Sequence, residues 1–93
     1  MTLTAEGTMQ TDAGPRYAKQ LASHLGRRST IEETDTGIVV VLTVGRCEVD
    51  ITPDALELTA TAESDEDLAT VKKVVGGHLA RFAQRNEITV VWA

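Results

Sequence analysis

The sequence predicts an α+β domain built as a two-layer sandwich, with two helices on one face of a mostly antiparallel sheet. Segments with period-two and period-3.6 apolar patterns follow one another in the order β-α-β-β-β-β-α-β. Each helical segment and most strand segments have one apolar face, so the helices and the sheet can bury those faces against each other. A length of 93 residues leaves room for a single domain, which we assign to residues 1–93.

The first two elements are an amphipathic strand and a helix. Apolar and polar residues alternate along residues 2–10, as in a half-buried strand. Thr11 or Asp12 is the expected helix N-cap, and Pro15 suits the first turn because its missing N–H would have no partner there. Gly26, which two arginines follow, predicts a left-handed C-cap. The apolar stripe of this helix consists of Tyr17, Leu21 and Leu25.

Four strands are predicted between the two helices. Short turns rich in glycine, aspartate and proline separate them. The second of the four is apolar on both faces, which is typical of a central or covered strand. The predicted ranges are 29–34, 38–43, 47–51 and 56–62.

A second helix and a final strand complete the pattern. Ser64 is the expected N-cap, and the carboxylates that follow it stand where the helix dipole favours them. Gly76 and Gly77 cost helix propensity, so they indicate close backbone packing or a bend. Asn86 is expected to end the helix, and the last strand covers residues 88–92. The residues predicted to be buried are Leu21, Leu25, Val40, Val49, Leu58, Val71, Val75, Leu79, Phe82 and Val90.

The sheet face away from the helices is expected to be polar and acidic, interrupted by Val39, Val41 and Val91. A small domain with a thin core gains from hiding such apolar residues, so we expect a homodimer that covers either this open face or an edge of the sheet. The acidic residues oppose a face-to-face pairing, and the sequence leaves both geometries open. The polar residues of this face are Thr2, Thr4, Glu6, Glu48, Asp50, Glu57, Thr59 and Thr61.

The charge distribution argues against nucleic-acid binding. Nine basic and fourteen acidic residues give a net charge of −5. Apart from Arg46, the basic residues lie on or next to the two predicted helices. A sheet that binds nucleic acid needs lysine, arginine and aromatic side chains on its open face, whereas this face carries glutamate, aspartate and threonine.

The sequence also predicts a cytoplasmic protein that does not contact a membrane. Cys47 is the single cysteine, so an intrachain disulfide cannot form. Residues 1–10 lack the basic start and apolar run of a signal peptide. The longest apolar run, residues 38–42, is far too short to cross a bilayer.

Two histidines and the cysteine are the residues that could carry chemistry. His24 and His78 flank the apolar stripes of the two helices, and Cys47 points to the sheet face that the helices cover. If the three converge, they could hold zinc, copper or iron, or Cys47 could act as a nucleophile beside an imidazole. The favoured alternative is two histidines at the edge of the core and a buried cysteine that packs as a small hydrophobe, since no metal-ligand spacing or catalytic motif is present.

Basic residues on the helices suggest a second kind of site. Arg16 and Lys19 stand at the start of the first helix, where free backbone N–H groups could help them to hold an anion, although Asp12 competes for those donors. The sequence identifies no cofactor. The candidate ligand-binding residues are Arg16, Tyr17, His24, Cys47, His78 and Arg81.

Four segments resemble the DUF2218 family of small bacterial proteins of unknown function. They are RYAKQLASHLGR at 16–27, GRCEV at 45–49, VVGGHLARF at 74–82 and ITVVW at 88–92. The resemblance covers nearly the whole chain and assigns no active site. It implies an association with siderophore-utilisation genes, and hence with iron metabolism. Ala22 stands where the family often has a second cysteine, which weakens any cysteine-pair chemistry.

Three functions are compatible with these observations. The leading one is a non-enzymatic binding or accessory module, linked by the resemblance to iron or siderophore metabolism. The second is an enzyme, or a redox- or metal-sensing protein, that uses Cys47 with His24 or His78. The third is a structural dimeric domain. A buried, unreactive Cys47 would count against the second.

Overall fold

The computed structural model describes residues 2–27, 29–84 and 88–93, and in them the predicted order of elements is confirmed. The two helices lie on one six-stranded sheet. Its strands and helices, in chain order, are β1 (Leu3–Gln10), α1 (Gly14–Leu25), β2 (Thr30–Glu33), β3 (Gly37–Leu42), β4 (Gly45–Ile51), β5 (Ala55–Ala62), α2 (Asp65–Phe82) and β6 (Val91–Trp92).

The strand order across the sheet is β2-β3-β4-β5-β1-β6, and neighbouring strands are antiparallel. Because β1 is antiparallel to both β5 and β6, those two strands run in the same direction on either side of it. The connection through α2 therefore passes over β1, and α2 packs on β5, β4 and β1. The connection through α1 spans the sheet to its other edge, so α1 packs on β3, β4 and β2.

The core lies between the helices and the sheet, as the apolar periodicities predict. The central strands contribute Val40, Val49 and Leu58, which are at most 1% exposed. The predictions for Phe82 and Val90 are wrong, because both are only half-buried at the margin of the core. Phe82 is the last residue of α2, and Val90 precedes the short edge strand β6.

The predicted cap positions Ser64 and Gly26 are confirmed, whereas the N-cap at Thr11 or Asp12 and the left-handed conformation of Gly26 are wrong. The Ser64 hydroxyl accepts from the Asp67 N–H at 3.1 Å and starts α2. The Thr11 hydroxyl accepts from the Ala13 N–H at 3.0 Å, which forms a turn before α1 rather than a cap, and Ala13 is the N-cap. Gly26 is right-handed, with φ −63° and ψ −16°, because the chain continues into a further helix-like turn. The predicted end of α2 at Asn86 lies outside the described residues.

The final strand is shorter than predicted, since β6 pairs only Trp92 with Gly7 and Val91 with Thr8. The Trp92 indole lies between Gly7 on β1 and Gly76 on α2. A Cβ added at Gly7 would come within 2.7 Å of the ring, and one at Gly76 within 3.1 Å of its Nε1. Gly76 therefore marks close packing, as predicted, whereas the position at Gly77 opens onto free space.

The predicted apolar patch on the open face does not form. Val39 is 4% exposed within the single chain, and its cross-strand neighbours are Glu32 and Glu48. Val91 is 69% exposed, but β6 is separated from β3 by β4, β5 and β1. Val39 and Val41 are neighbours on one face of β3, but Val91 lies four strands away, so the three valines do not form one patch.

Candidate functional site

The two histidines meet at the half-buried ring of Phe82, on the flank of α2 that faces α1. The His24 ring centroid lies 5.0 Å from that of Phe82, and the His78 centroid lies 6.3 Å from it. His24 comes from the last turn of α1 and His78 from the C-terminal half of α2. The contact follows from the periodicity, because both histidines stand beside the apolar stripes with which their helices pack.

The local hydrogen bond of His78 fixes the roles of its ring nitrogens. Its Nδ1 lies 2.6 Å from the carbonyl oxygen of Val74, one turn earlier in α2. A carbonyl oxygen only accepts, so Nδ1 carries the hydrogen and donates it. Nε2 is then the nitrogen through which His78 can accept from a ligand when neutral, or donate to one when protonated.

A groove of about 500 Å³ runs along α2 next to this contact. We call it the basic groove; its lining residues are Lys73, Val74, Gly77, His78 and Arg81. Lys73, Gly77 and Arg81 recur every four residues and so form one stripe of the helix. Gly77 contributes no side chain, so the middle of the groove is bounded by backbone. A smaller cleft of about 150 Å³, lined by Ser23, His24 and Arg27, lies on α1.

The charges along α2 separate into an acidic start and a basic end. Asp65, Glu66 and Asp67 occupy the first turn. Lys73 and Arg81 lie about two and four turns further along, and eight residues of helix place their backbones about 12 Å apart. Both charges are exposed, and none of the residues that line the basic groove is acidic. The groove is therefore suited to a small anion.

Cys47 takes no part in this arrangement. Its side chain is 0% exposed and lies in the core cluster, with Sγ 3.7 Å from the Glu48 carbonyl oxygen. Burial raises the pKa of the thiol from its ordinary 9.0 to about 12; a hydrogen bond to the Thr59 backbone opposes the rise and the charge of Glu48 adds to it. The thiol thus stays protonated at neutral pH, which makes it a poor nucleophile and a poor metal ligand.

The structure therefore brings together two of the three residues whose convergence the sequence suggested. His24 and His78 meet at Phe82, and Cys47 stays beneath the helices. Within residues 2–27, 29–84 and 88–93, no three His, Cys, Asp or Glu side chains are grouped so as to hold a metal ion. The apolar periodicity shows which face of the sheet or helix a residue lies on. It does not show how far apart two residues on facing layers are.

The remaining candidates divide between core and surface. Tyr17 is 6% exposed and belongs to the core cluster, which leaves it little surface for a ligand. Arg16 is exposed in the first turn of α1 and is not among the residues that line the basic groove. Arg81 lines the groove. Sequence reasoning missed Lys73 and Gly77 as site residues, although the four-residue spacing of Lys73, Gly77 and Arg81 is visible in the chain.

Neither helix among the described residues combines the length and apolar content that a membrane crossing requires.

Comparison with known proteins gives a family and a fold. No curated protein matches the chain. The NMR structure of PA4090 from Pseudomonas aeruginosa is similar, with a TM-score of 0.80 and 23% identity over 97% of this chain and 94% of that one. At that identity the likeness supports the α+β fold alone. The family model described as "Uncharacterized protein conserved in bacteria (DUF2218)" matches residues 6–93, and this chain therefore belongs to the DUF2218 family.

Proposed function

We propose that this protein is a non-enzymatic accessory module that binds a small anionic ligand in the basic groove of α2. The observation that carries the proposal is the lining of that groove, where two of five residues are cationic and a third is a histidine. Its volume of about 500 Å³ falls within the range of small-molecule sites, roughly 300–1,000 Å³. The half-buried Val74 adds an apolar wall to these polar groups.

The side chains define the chemistry of the ligand. Arg81 can hold a carboxylate or phosphate through two parallel N–H groups, and Lys73 can add a point charge from the other end of the groove. Nε2 of His78 supplies a third contact between them. The ligand class is therefore a small carboxylate- or phosphate-bearing molecule. The link to iron or siderophore metabolism stays a hypothesis, and it would require the ligand to be an anionic iron chelate.

The other functions receive less support from the geometry. An enzyme or redox sensor based on Cys47 needs an accessible thiolate, and the thiol is buried with a raised pKa. A purely structural domain would not require the basic groove. We further propose that the protein acts in the cytoplasm, does not bind nucleic acid and forms a homodimer, for which the exposed Val91 is the supporting observation.

The test is an NMR titration of the ¹⁵N-labelled protein with citrate, ferric citrate and inorganic phosphate. We expect shifts, or line broadening with the paramagnetic ferric complex, confined to amides of Lys73, Gly77, His78 and Arg81. Replacing the guanidinium in Arg81→Gln should weaken binding by about 10-fold or more, as expected for the loss of a charge-assisted hydrogen bond.

Lys19→Gln is the matched control, because Lys19 is exposed on α1 and does not line the groove. It removes the same charge and should leave the affinity unchanged. Equal losses in the two variants would reduce the effect to net charge and overturn the assignment. Absence of shifts with all three probes at millimolar concentration would overturn the proposed ligand class, and a response to ferric citrate alone would support the link to iron.

A further inference from the structure

The two edges of the sheet are chemically different. At one edge, β2 carries the exposed Glu32 and Glu33. Charges on an edge strand oppose pairing with another chain. At the other edge, residues 88–93 have the sequence ITVVWA and contain no charged side chain. Val91 in this segment is 69% exposed, the one large apolar side chain so exposed in the described part of the chain.

The ladder between β1 and β6 determines which backbone groups face outward. Val91 pairs with Thr8, and the Ala93 N–H donates to the Glu6 carbonyl at 2.7 Å. In an antiparallel ladder both polar groups of one residue point to the same side, and successive residues alternate. Val91 and Ala93 therefore face β1, whereas the N–H and C=O of Val90 and Trp92 face away from the sheet.

We propose that two copies of this chain associate by antiparallel pairing of β6 with β6 across a two-fold axis. One register of the two β6 strands pairs every outward-facing N–H and C=O group of Val90 and Trp92. Trp92 exchanges both hydrogen bonds with Val90 of the partner subunit, and Val90 does the same with Trp92 of the partner subunit. Val91 then stands opposite Val91 of the partner subunit as a non-hydrogen-bonded pair. Such pairs have the closer side chains, with Cα atoms about 4.5 Å apart, so the exposed valines bury each other.

Electrostatics favour this edge over the other surfaces. In the paired sheet the order is β1-β6-β6-β1, so the Glu6 residues of the two copies are separated by three strand spacings, about 14 Å. That exceeds the Debye length of about 10 Å at 0.1 M salt. Pairing through the open faces would instead bring Glu48, Asp50 and Glu57 against their own copies. Pairing through β2 would do the same with Glu32 and Glu33.

The area of contact makes the dimer weak. Three residue pairs and the side chains beside them cover less than the ~1,200 Å² at which stable interfaces begin. The association is therefore expected at high micromolar protein and is reversible. This weakness suits a test by concentration series rather than by a single size measurement.

The decisive experiment is sedimentation equilibrium of the full chain from low micromolar to about 1 mM. We expect the apparent mass to rise from 10.0 kDa towards twice that value in the wild type. Val91→Lys should stay monomeric over the whole range, since lysine on an edge strand opposes pairing. The substitution is compatible with folding because Val91 is 69% exposed, and circular dichroism checks this.

Thr30→Lys is the matched control. It adds the same charge to the opposite edge, on the exposed residue Thr30 of β2, and should dimerise as the wild type does. Hydrogen exchange gives a second measurement, because the Trp92 amide should become protected with rising concentration in the wild type but not in Val91→Lys. A wild type that remains monomeric at the highest concentration, or a dimer that persists in Val91→Lys, overturns the proposal.

Discussion

The two flanks of α2 are built from similar residues but differ in what covers them. On the closed flank, Trp92 fills the space between Gly7 and Gly76, and the Lys72 ammonium lies 5.4 Å from the ring centroid. On the open flank, Phe82 contacts the rings of His24 and His78, and His78 lines the basic groove. Gly76 and Gly77 are adjacent in sequence, yet one belongs to each flank. The closed flank and the core beside it serve stability, whereas the open flank has groups that a ligand can reach.

The largest expected effect tests whether the core around Cys47, next to the closed flank, excludes water. Because the folded-state pKa of Cys47 is raised from 9.0 to about 12, its contribution to stability is complete below pH 9 and is lost between pH 9 and 12. Within that window the free energy of unfolding should fall by about 1.4 kcal/mol per pH unit from this group. Urea unfolding at pH 8, 9 and 10 measures it.

Cys47→Ala supplies the control for this pH dependence. The variant loses stability through its cavity at every pH, but lysine and tyrosine titrations are common to both proteins and cancel in the difference. The two curves should therefore converge as the pH rises above 9. Curves that stay parallel would show that water reaches the thiol, and the distinction between a sealed core and an open flank would fail.

The residues that form the core beside the closed flank could mostly be predicted from the sequence, whereas the arrangement of residues on the open flank mostly could not. Alternation along β4 places Cys47 and Val49 in the core, and the four-residue spacing of Val71, Val75 and Leu79 gives the buried face of α2. Such patterns suffice because burial is decided by one layer against another.

The candidate site depends on information that periodicity lacks. Where His24 meets Phe82 depends on how far α1 is displaced along α2, and no repeat in the sequence encodes that displacement. Phe82 itself was predicted to be buried because it continues the apolar stripe, yet it lies at the end of the helix, where the core stops. The basic groove was missed because Lys73 and Arg81 resemble an ordinary solvated helix face until Gly77 is seen to leave the space between them open.

The next effect tests whether Trp92 is fixed on the closed flank. Gly7→Ala places a Cβ 2.7 Å from Cε3 and 2.9 Å from Cδ2 of the indole. The ring cannot move away without approaching Gly76, so the substitution should lower the free energy of unfolding by roughly 1–3 kcal/mol. Urea denaturation of the wild type and the variant measures the loss.

The smaller side chain in Trp92→Leu provides the internal control for Gly7→Ala. With leucine in place of the indole, the added methyl group meets more space, and most of the loss should disappear in the double variant. Non-additivity of this kind is expected for residues in direct contact. An equal loss in both backgrounds would mean that the added methyl group acts through the strand backbone and not through Trp92.

The smallest expected effect compares the same change at the two adjacent glycines of α2. Gly77→Ala meets nothing within 4 Å, so the gain in helix propensity should raise the free energy of unfolding by roughly 0.5–1 kcal/mol. Gly76→Ala has the same propensity gain, but its methyl group stands 3.1 Å from Nε1 of Trp92, so it should stabilise less or destabilise. Thermal unfolding measures both.

The Gly77→Ala protein should also bind citrate more weakly, because its methyl group enters the basic groove. Gly77 would then lower the stability of α2 but keep the basic groove open, as a binding site on this flank requires. Unchanged binding in a stabilised Gly77→Ala protein would mean that the ligand does not reach the middle of the groove.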